Sequence, residues 1–448
     1  PNKSNVVSSA VHDETTINIM DAYHAEGFDF SGTRKFDQQT GYRTRSILTI
    51  PLKNHHNDII GVLQLINARD EDTGETCEFS PADQQIAESL ASQAAVAITN
   101  NKLIEEQREL FEAFIKLMAS AIDEKSPYTG GHCKRVPELT MMIAEACHNA
   151  DSGELKDFSM TDKDRYELTI AGWLHDCGKV TTPEYVVDKA TKLETIYDRI
   201  NTIDTRFEVL KRDEIIKAMQ QKVDQLRQDA TADCSALDIE LEEKISQLND
   251  DRDFIRRSNI GGEFMDAEHQ QRVRDIAQHR WIDPDGADAK LLNENEIENL
   301  TIARGTLTES ERRVINNHMA VTINMLDQLP FPKYLANVPE YAGGHHERMD
   351  GKGYPNGLIR EQMSIQARMM GIADIFEALT ASDRPYKTGK PLTECLHILG
   401  FMKKDNHVDP DIFDVFVRDK VYLRYAEAFL PRNQIDDVDH SEIPGYVE

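Results

Sequence analysis

The sequence predicts an α+β N-terminal region, an antiparallel sheet with helices, joined by one long helix to an all-α domain that carries a helical-hairpin insertion. Three observations predict it. Two apolar, β-branched runs at 45–52 and 59–68 flank a polar stretch and read as adjacent antiparallel strands. After Pro81 no Pro or Gly interrupts the chain until Pro127. Beyond that point apolar residues recur at helical spacing with few strand signals.

The long helix begins on clear signals. Ser80 is placed to cap it, Pro81 occupies the first helical position and Asp83 the third. Unbroken to Ser126 it would measure roughly 65 Å at 1.5 Å per residue, more than one small core can use. It therefore reads as a linker at about 101–126 that leaves a first domain (1–100), enters a second (127–448) and pairs with its copy in a homodimer. The alternative is two ordinary helices kinked near Asn100 and Asn101. In the second domain helices are expected at 140–149, 162–174, 309–329, 364–381 and 391–403. An insertion at about 190–299 includes the highly charged stretch 213–257, which reads as a protruding, solvated helical hairpin without chemistry of its own.

Composition narrows the function classes. The 448 residues carry 51 Lys and Arg against 79 Asp and Glu, a formal charge of −28. Such a surplus argues against a polynucleotide partner, though bound cations can reverse the local field at a small phosphodiester site. Cys77, Cys133, Cys147, Cys177, Cys234 and Cys395 are scattered without a CxxC pair, so free thiols in a reducing cytoplasm are expected. No 18-residue apolar run marks a membrane span. The sequence opens on Pro1, so a segment upstream is expected.

The chemistry concentrates in a few stretches. In WLHDCGK, His175 and Asp176 follow an apolar helix and Lys179 lies one turn on, so the three converge if the turn continues. Imidazole and carboxylate together suit first-row metals, and a carboxylate with two oxygens can bridge two ions. His132 opens a helix after SPYTGG; His318 sits early in an amphipathic helix; His345 and His346 are adjacent before a loop rich in Gly, Asp and Pro. Asp374 falls on an otherwise apolar helix face, where an unpaired carboxylate is costly to bury. Five imidazoles and two carboxylates exceed one tetrahedral zinc site and suit two octahedral ions sharing a bridge.

From about 107 to 417, apart from the insertion, the chain resembles the HD-GYP family, the bacterial cyclic di-GMP phosphodiesterase branch of the HD superfamily. The resemblance rests on HDCGK (175–179), HHERMDGKGYP (345–355) and ADIFEALTASDRPYK (373–387). It implies metal ligands at His132, His175, Asp176, His318, His345, His346 and Asp374, with Asp176 as the bridge. It also implies Lys179 at the scissile phosphate or attacking water, and substrate contacts from Tyr354, Arg384 and Lys387. Iron or manganese is the implied metal, with nickel or zinc compatible with the same donors. Trimetal members carry a Glu one turn before the first His; Tyr128 stands there, which predicts two ions. The GYP loop implies a diguanylate-cyclase-type partner. The first region resembles the later part of a GAF domain, through 40–52 and the stretch beginning at Gly61. Where cyclic-nucleotide-binding members carry Asn-Lys, Phe and Asp-Glu, this chain has Asn67-Ala68, Phe79 and Asp83-Gln84, half of that signature.

The expected reaction is hydrolysis of a 3′–5′ phosphodiester in a cyclic dinucleotide, foremost cyclic di-GMP, giving linear pGpG and then GMP, under control of the GAF-like region. Cyclic GMP-AMP is the alternative substrate. Two other readings are a catalytically silent dinucleotide receptor and a general metal phosphohydrolase acting on nucleotides.

Overall fold

The computed structural model describes residues 3–125, 131–262, 264–381 and 389–447. It divides into two compact units, Pro1–Ala113 and Phe114–Glu448. No helix among the described residues is long and apolar enough to cross a membrane. No disulfide joins any two cysteines among the described residues.

In the first unit three antiparallel strands run in the order Ile17–Ile19, Ile47–Lys53, Ile59–Ile66. The two apolar runs pair in register, Ile47 opposite Ile66 and Ile50 opposite Leu63. Alternation sets what each face of the middle strand meets. Leu48, Ile50 and Leu52 pack on Ala87, Ala91 and Ala95, small residues one turn apart that let a helix lie close to the sheet. Ile47 packs instead with Val6, Ile19, Ala22 and Phe30. A short ladder, Ala68–Arg69 with Thr76–Cys77, completes the unit.

Ser80 and Asp83 cap each other's backbone N–H, at 3.1 and 2.9 Å, and start a helix of 45 residues, Pro81–Lys125. It runs without a break at Asn100 and Asn101, so the kinked alternative does not hold. Asn67, which takes a positive φ of 61°, accepts from the Arg45 N–H and donates to the Arg43 carbonyl, so its amide is spent on the turn. Phe79 packs into the sheet core.

The second unit is built of helices around a core that includes Leu139, Ile143, Leu168, Met370, Phe376, Phe413, Phe416 and Tyr425. Asp162–Leu174 forms where expected, behind a capping box made by Thr161 and Asp164. The helix expected to open at His132 and the one expected at 140–149 are a single helix, His132–His148, with Pro137 inside it. The carboxylate of Asp123 accepts from the Gly131 and Cys133 N–H groups, which stabilises its start. The expected helix at 309–329 is two, Glu309–Asn316 and His318–Asp327. Ile365–Thr380 and Leu392–Lys404 follow the pattern closely.

The insertion is more than a bare hairpin. Its helices, Ile200–Gln228 and Ser235–Asn259, extend the charged stretch at its N-terminal end. At their base Leu193, Phe207, Phe254, Ile255, Leu291, Leu292 and Leu300 form a separate apolar core, with Trp281 packed against it. A small ribbon, Arg280–Ile282 with Asp288–Lys290, adds strands that the charge pattern hid.

Candidate metal centre

Five helical segments bring the predicted residues together. His132 opens one helix; His175 and Asp176 end the next; His318 opens His318–Asp327; His345 and His346 follow Val338–Gly343; Asp374 lies within Ile365–Thr380. Two groups of potential ligand atoms result. One joins Asp176, His318, His345 and His346, the other His132, His175 and Asp374, with the atoms in each group all within 4.8 Å of one another.

Asp176 lies between the groups. Its Oδ2 is 3.2 Å from His132 Nε2 and 3.3 Å from His175 Nε2, while its Oδ1 is 3.3 Å from His318 Nε2. His132 Nε2 also lies 3.3 Å from Asp374 Oδ1 and from His175 Nε2. His175, His318 and His345 each use Nδ1 on a carbonyl three residues back, those of Gly172, Ile315 and Ala342. That bond fixes the ring and turns Nε2 inward as the free donor. His132 uses Nδ1 on Glu377, at 2.6 Å.

Buried polar atoms without partners test the fit to metal ions. Asp176 Oδ1, His318 Nε2 and His345 Nε2 are fully buried and make no hydrogen bond. Three such atoms facing one centre are costly unless a cation takes their lone pairs. The donor set, imidazole nitrogen with carboxylate oxygen, suits divalent first-row ions.

The electrostatics agree. Burial alone would raise the Asp176 carboxyl, but Lys179, His175 and His132 hold it well below the usual carboxylate range. Asp374, equally buried, is held low chiefly by His132. Burial pushes His346 down to about 4 and His345 well below the ordinary imidazole range, so both rings are neutral and free to ligate. Burial opposes a charge on His132, yet Glu377, Asp176 and Asp374 hold its pKa well above the ordinary value. The same field favours any cation placed among them.

Lys179 stands on the short turn Cys177–Thr181, its ammonium 2.5 Å from Asp176 Oδ2. Tyr354 stacks on His346, with ring centroids 4.8 Å apart and 24° between planes. Arg384, Lys387 and Tyr128 lie outside the described residues.

Sequence reasoning missed the residues that hold these groups in place. Glu377 is buried, takes His132 Nδ1 on one oxygen and the Arg135 guanidinium on the other at 2.7 Å. Its place three residues after Asp374, on the same helix face, was the available signal. Glu347 accepts from the N–H groups of Asn356 and Leu358, at 2.7 and 2.9 Å, and so folds the loop after the paired histidines. Lys125, the last residue of the long helix, donates to the carbonyls of Lys179, Val180 and Thr182.

Comparison with known proteins is consistent with this geometry. A GAF-domain model matches residues 1–98, and an HD-domain model matches 294–412. The chain carries a GAF domain and an HD domain. The HD match takes in His318, His345, His346 and Asp374, while His132, His175 and Asp176 precede it across the insertion. Over 114 residues the chain is 40% identical to a 3′3′-cGAMP-specific phosphodiesterase 1 of Vibrio cholerae, covering 25% of this chain and 26% of the relative. A cyclic di-GMP phosphodiesterase of Pseudomonas aeruginosa is 39% identical over 114 residues, with the same coverage of 25% and 26%. One of Thermotoga maritima is 32% identical over 114 residues, covering 25% of this chain and 30% of the relative. The chain thus spans about a quarter of the length of the curated relatives it matches.

Proposed function

We propose that the HD domain hydrolyses the 3′–5′ phosphodiester of a cyclic dinucleotide, foremost cyclic di-GMP, as an HD-GYP phosphodiesterase. One observation carries the reading: Asp176 presents one oxygen to His132 and His175 and the other to His318, so this carboxylate would serve both groups of ligands. His132, His175 and Asp374 would hold one ion and His318, His345 and His346 the other, iron or manganese first among the candidates. Divalent ions in such a site supply a water of lowered pKa and neutralise phosphoryl charge.

The chain's own groups do the rest. Burial opposes the Lys179 ammonium, but Asp176 and Asp374 keep it charged, so it is available to a phosphoryl oxygen. Glu377 and Arg135 keep the His132 ring aimed inward. Tyr354, stacked on His346, offers a ring edge beside the centre for the substrate. The named relatives include phosphodiesterases for both cyclic di-GMP and 3′3′-cGAMP, and either dinucleotide is a candidate substrate here. Anaerobic purification with product analysis on both dinucleotides tests it. Linear pGpG from cyclic di-GMP supports the reading; binding of either dinucleotide without cleavage would replace it with a receptor.

Regulation follows the long helix. Lys125 secures the carbonyls of the turn that carries Lys179, and Asp123 caps the helix that starts at His132. A small rotation or shift of that helix end would reach two site segments at once. The same helix pairs with a second copy: Val96, Leu103, Leu110 and Leu117 are exposed and seven residues apart, beside Ile104, the spacing of a coiled-coil seam. Ile104→Asp is expected to turn the dimer into a monomer in sedimentation velocity; an unchanged dimer would place the interface elsewhere.

A further inference from the structure

The base of the insertion contains a cavity of about 360 Å³ that lies apart from the metal centre. Its lining includes Lys192, Phe254, Arg257, Phe264, His269 and Arg272. In a chain of net charge −28 this is a local excess of cations. The one carboxylate lining it, that of Asp266, is spent on the backbone N–H and ring of His269, at 2.8 and 2.7 Å.

Two of the cations lack a counter-charge. Lys192 is 3% exposed, and its ammonium meets the carbonyls of Leu300 and Ile302, at 3.2 and 2.8 Å, and the weak thioether acceptor of Met265 at 3.4 Å. No carboxylate among the described residues pairs with it. Burial accordingly pushes its pKa down to about 8. The Arg257 guanidinium likewise has no ion-pair partner among the described residues, whereas Arg272 is engaged by Asp250 and Asp251. A buried ammonium without an anion is a standing cost that a bound anion would remove.

Aromatic surface borders the same cavity. Phe254 and His269 stack, with centroids 5.7 Å apart and 16° between planes. Phe264 is 69% exposed at the cavity wall, with the Arg304 guanidinium 6.0 Å from its ring centroid, so a ring face is accessible to a ligand. We propose that this cavity binds a small phosphate ester bearing a flat ring, of mononucleotide size, with Lys192 and Arg257 on the phosphate and Phe264 against the ring. A guanidinium fork and an ammonium together match a phosphate. The volume lies near the lower end of the roughly 300–1,000 Å³ of small-molecule sites, which suits one nucleotide better than two joined. The site would give the insertion a ligand of its own, independent of the reaction assigned to the metal centre.

Hydrogen–deuterium exchange on the full metal-loaded chain, with GMP as the probe, tests this. GMP should slow exchange in peptides spanning 254–272 and 300–306. Arg257→Glu should weaken that protection at least ten-fold in apparent affinity and leave dinucleotide turnover unchanged. Arg257→Gln, which removes charge with little change of size, should act the same way if the Glu variant folds poorly. Protection confined to peptides containing His175 or His345, equal protection by guanosine or inorganic phosphate, or undiminished protection in the Arg257 variants would overturn the proposal.

Discussion

At the scale of single residues, Glu377 separates positioning from ligation. It stands outside both groups of potential ligand atoms, yet it fixes His132 through Nδ1 and is fixed in turn by Arg135. Removing such an outer partner lowers metal affinity or activity about 10–100-fold in comparable sites. Glu377→Gln should therefore retain the fold, lose metal more readily to a chelator, and recover part of its turnover when metal is added in excess. Unchanged chelator sensitivity would show that His132 needs no such support. The inward-facing groups themselves were legible in the sequence because each stands in a short, chemically unusual setting: paired histidines, HD followed by Lys, an Asp on an apolar face. Their supports were not. A Glu or Arg on an amphipathic helix looks like any solvated residue until the fold shows that it is buried.

At the scale of elements, the turn Cys177–Thr181 is pressed against the helix that starts at His318. The Gly178 N–H donates to Thr322 Oγ1 at 2.9 Å, and a Cβ at Gly178 would collide with the carbonyl of His318. The glycine thus sets the distance between the segment carrying Asp176 and the one carrying His318. Gly178→Ala should cost about 1–3 kcal/mol, the usual range for overpacking, and should lower metal content although no ligand is altered. Normal metal content in a destabilised variant would argue that the two segments are positioned independently. The long helix and Asp162–Leu174 were legible from their caps and uninterrupted runs. The start at His132 was legible after SPYTGG, but its continuity with the helix expected at 140–149 was not, because Pro137 suggests a boundary between them. The insertion's apolar core escaped notice because its members, such as Leu193, Phe254 and Leu300, are spread over a hundred residues of charged chain.

At the scale of the whole molecule, acid stability rests in part on Asp409. Its carboxylate is fully buried; burial alone would raise its pKa, but Arg360 and Arg368 and the Ile412 N–H hold it below the ordinary range. A carboxyl depressed in the folded state binds fewer protons there than when unfolded. Its contribution is complete above the unfolded value of about 3.9 and is lost as pH falls through the folded one. Asp409→Asn should lower stability at neutral pH, by up to about 3–5 kcal/mol for a broken buried pair, and should flatten the loss of stability below about pH 4 in denaturant titrations. An acid limb as steep as that of the unsubstituted chain would assign the effect to other groups. The sheet of the first unit and the helices of the second were readable from periodicity.

The most direct measurement is the metal content per chain of the anaerobically purified protein beside its Asp176→Ala variant. Two divalent ions per active chain, with loss of both the second ion and dinucleotide turnover in the variant, is the predicted result. Two ions retained in an active Asp176→Ala protein would contradict the bridge on which the account depends.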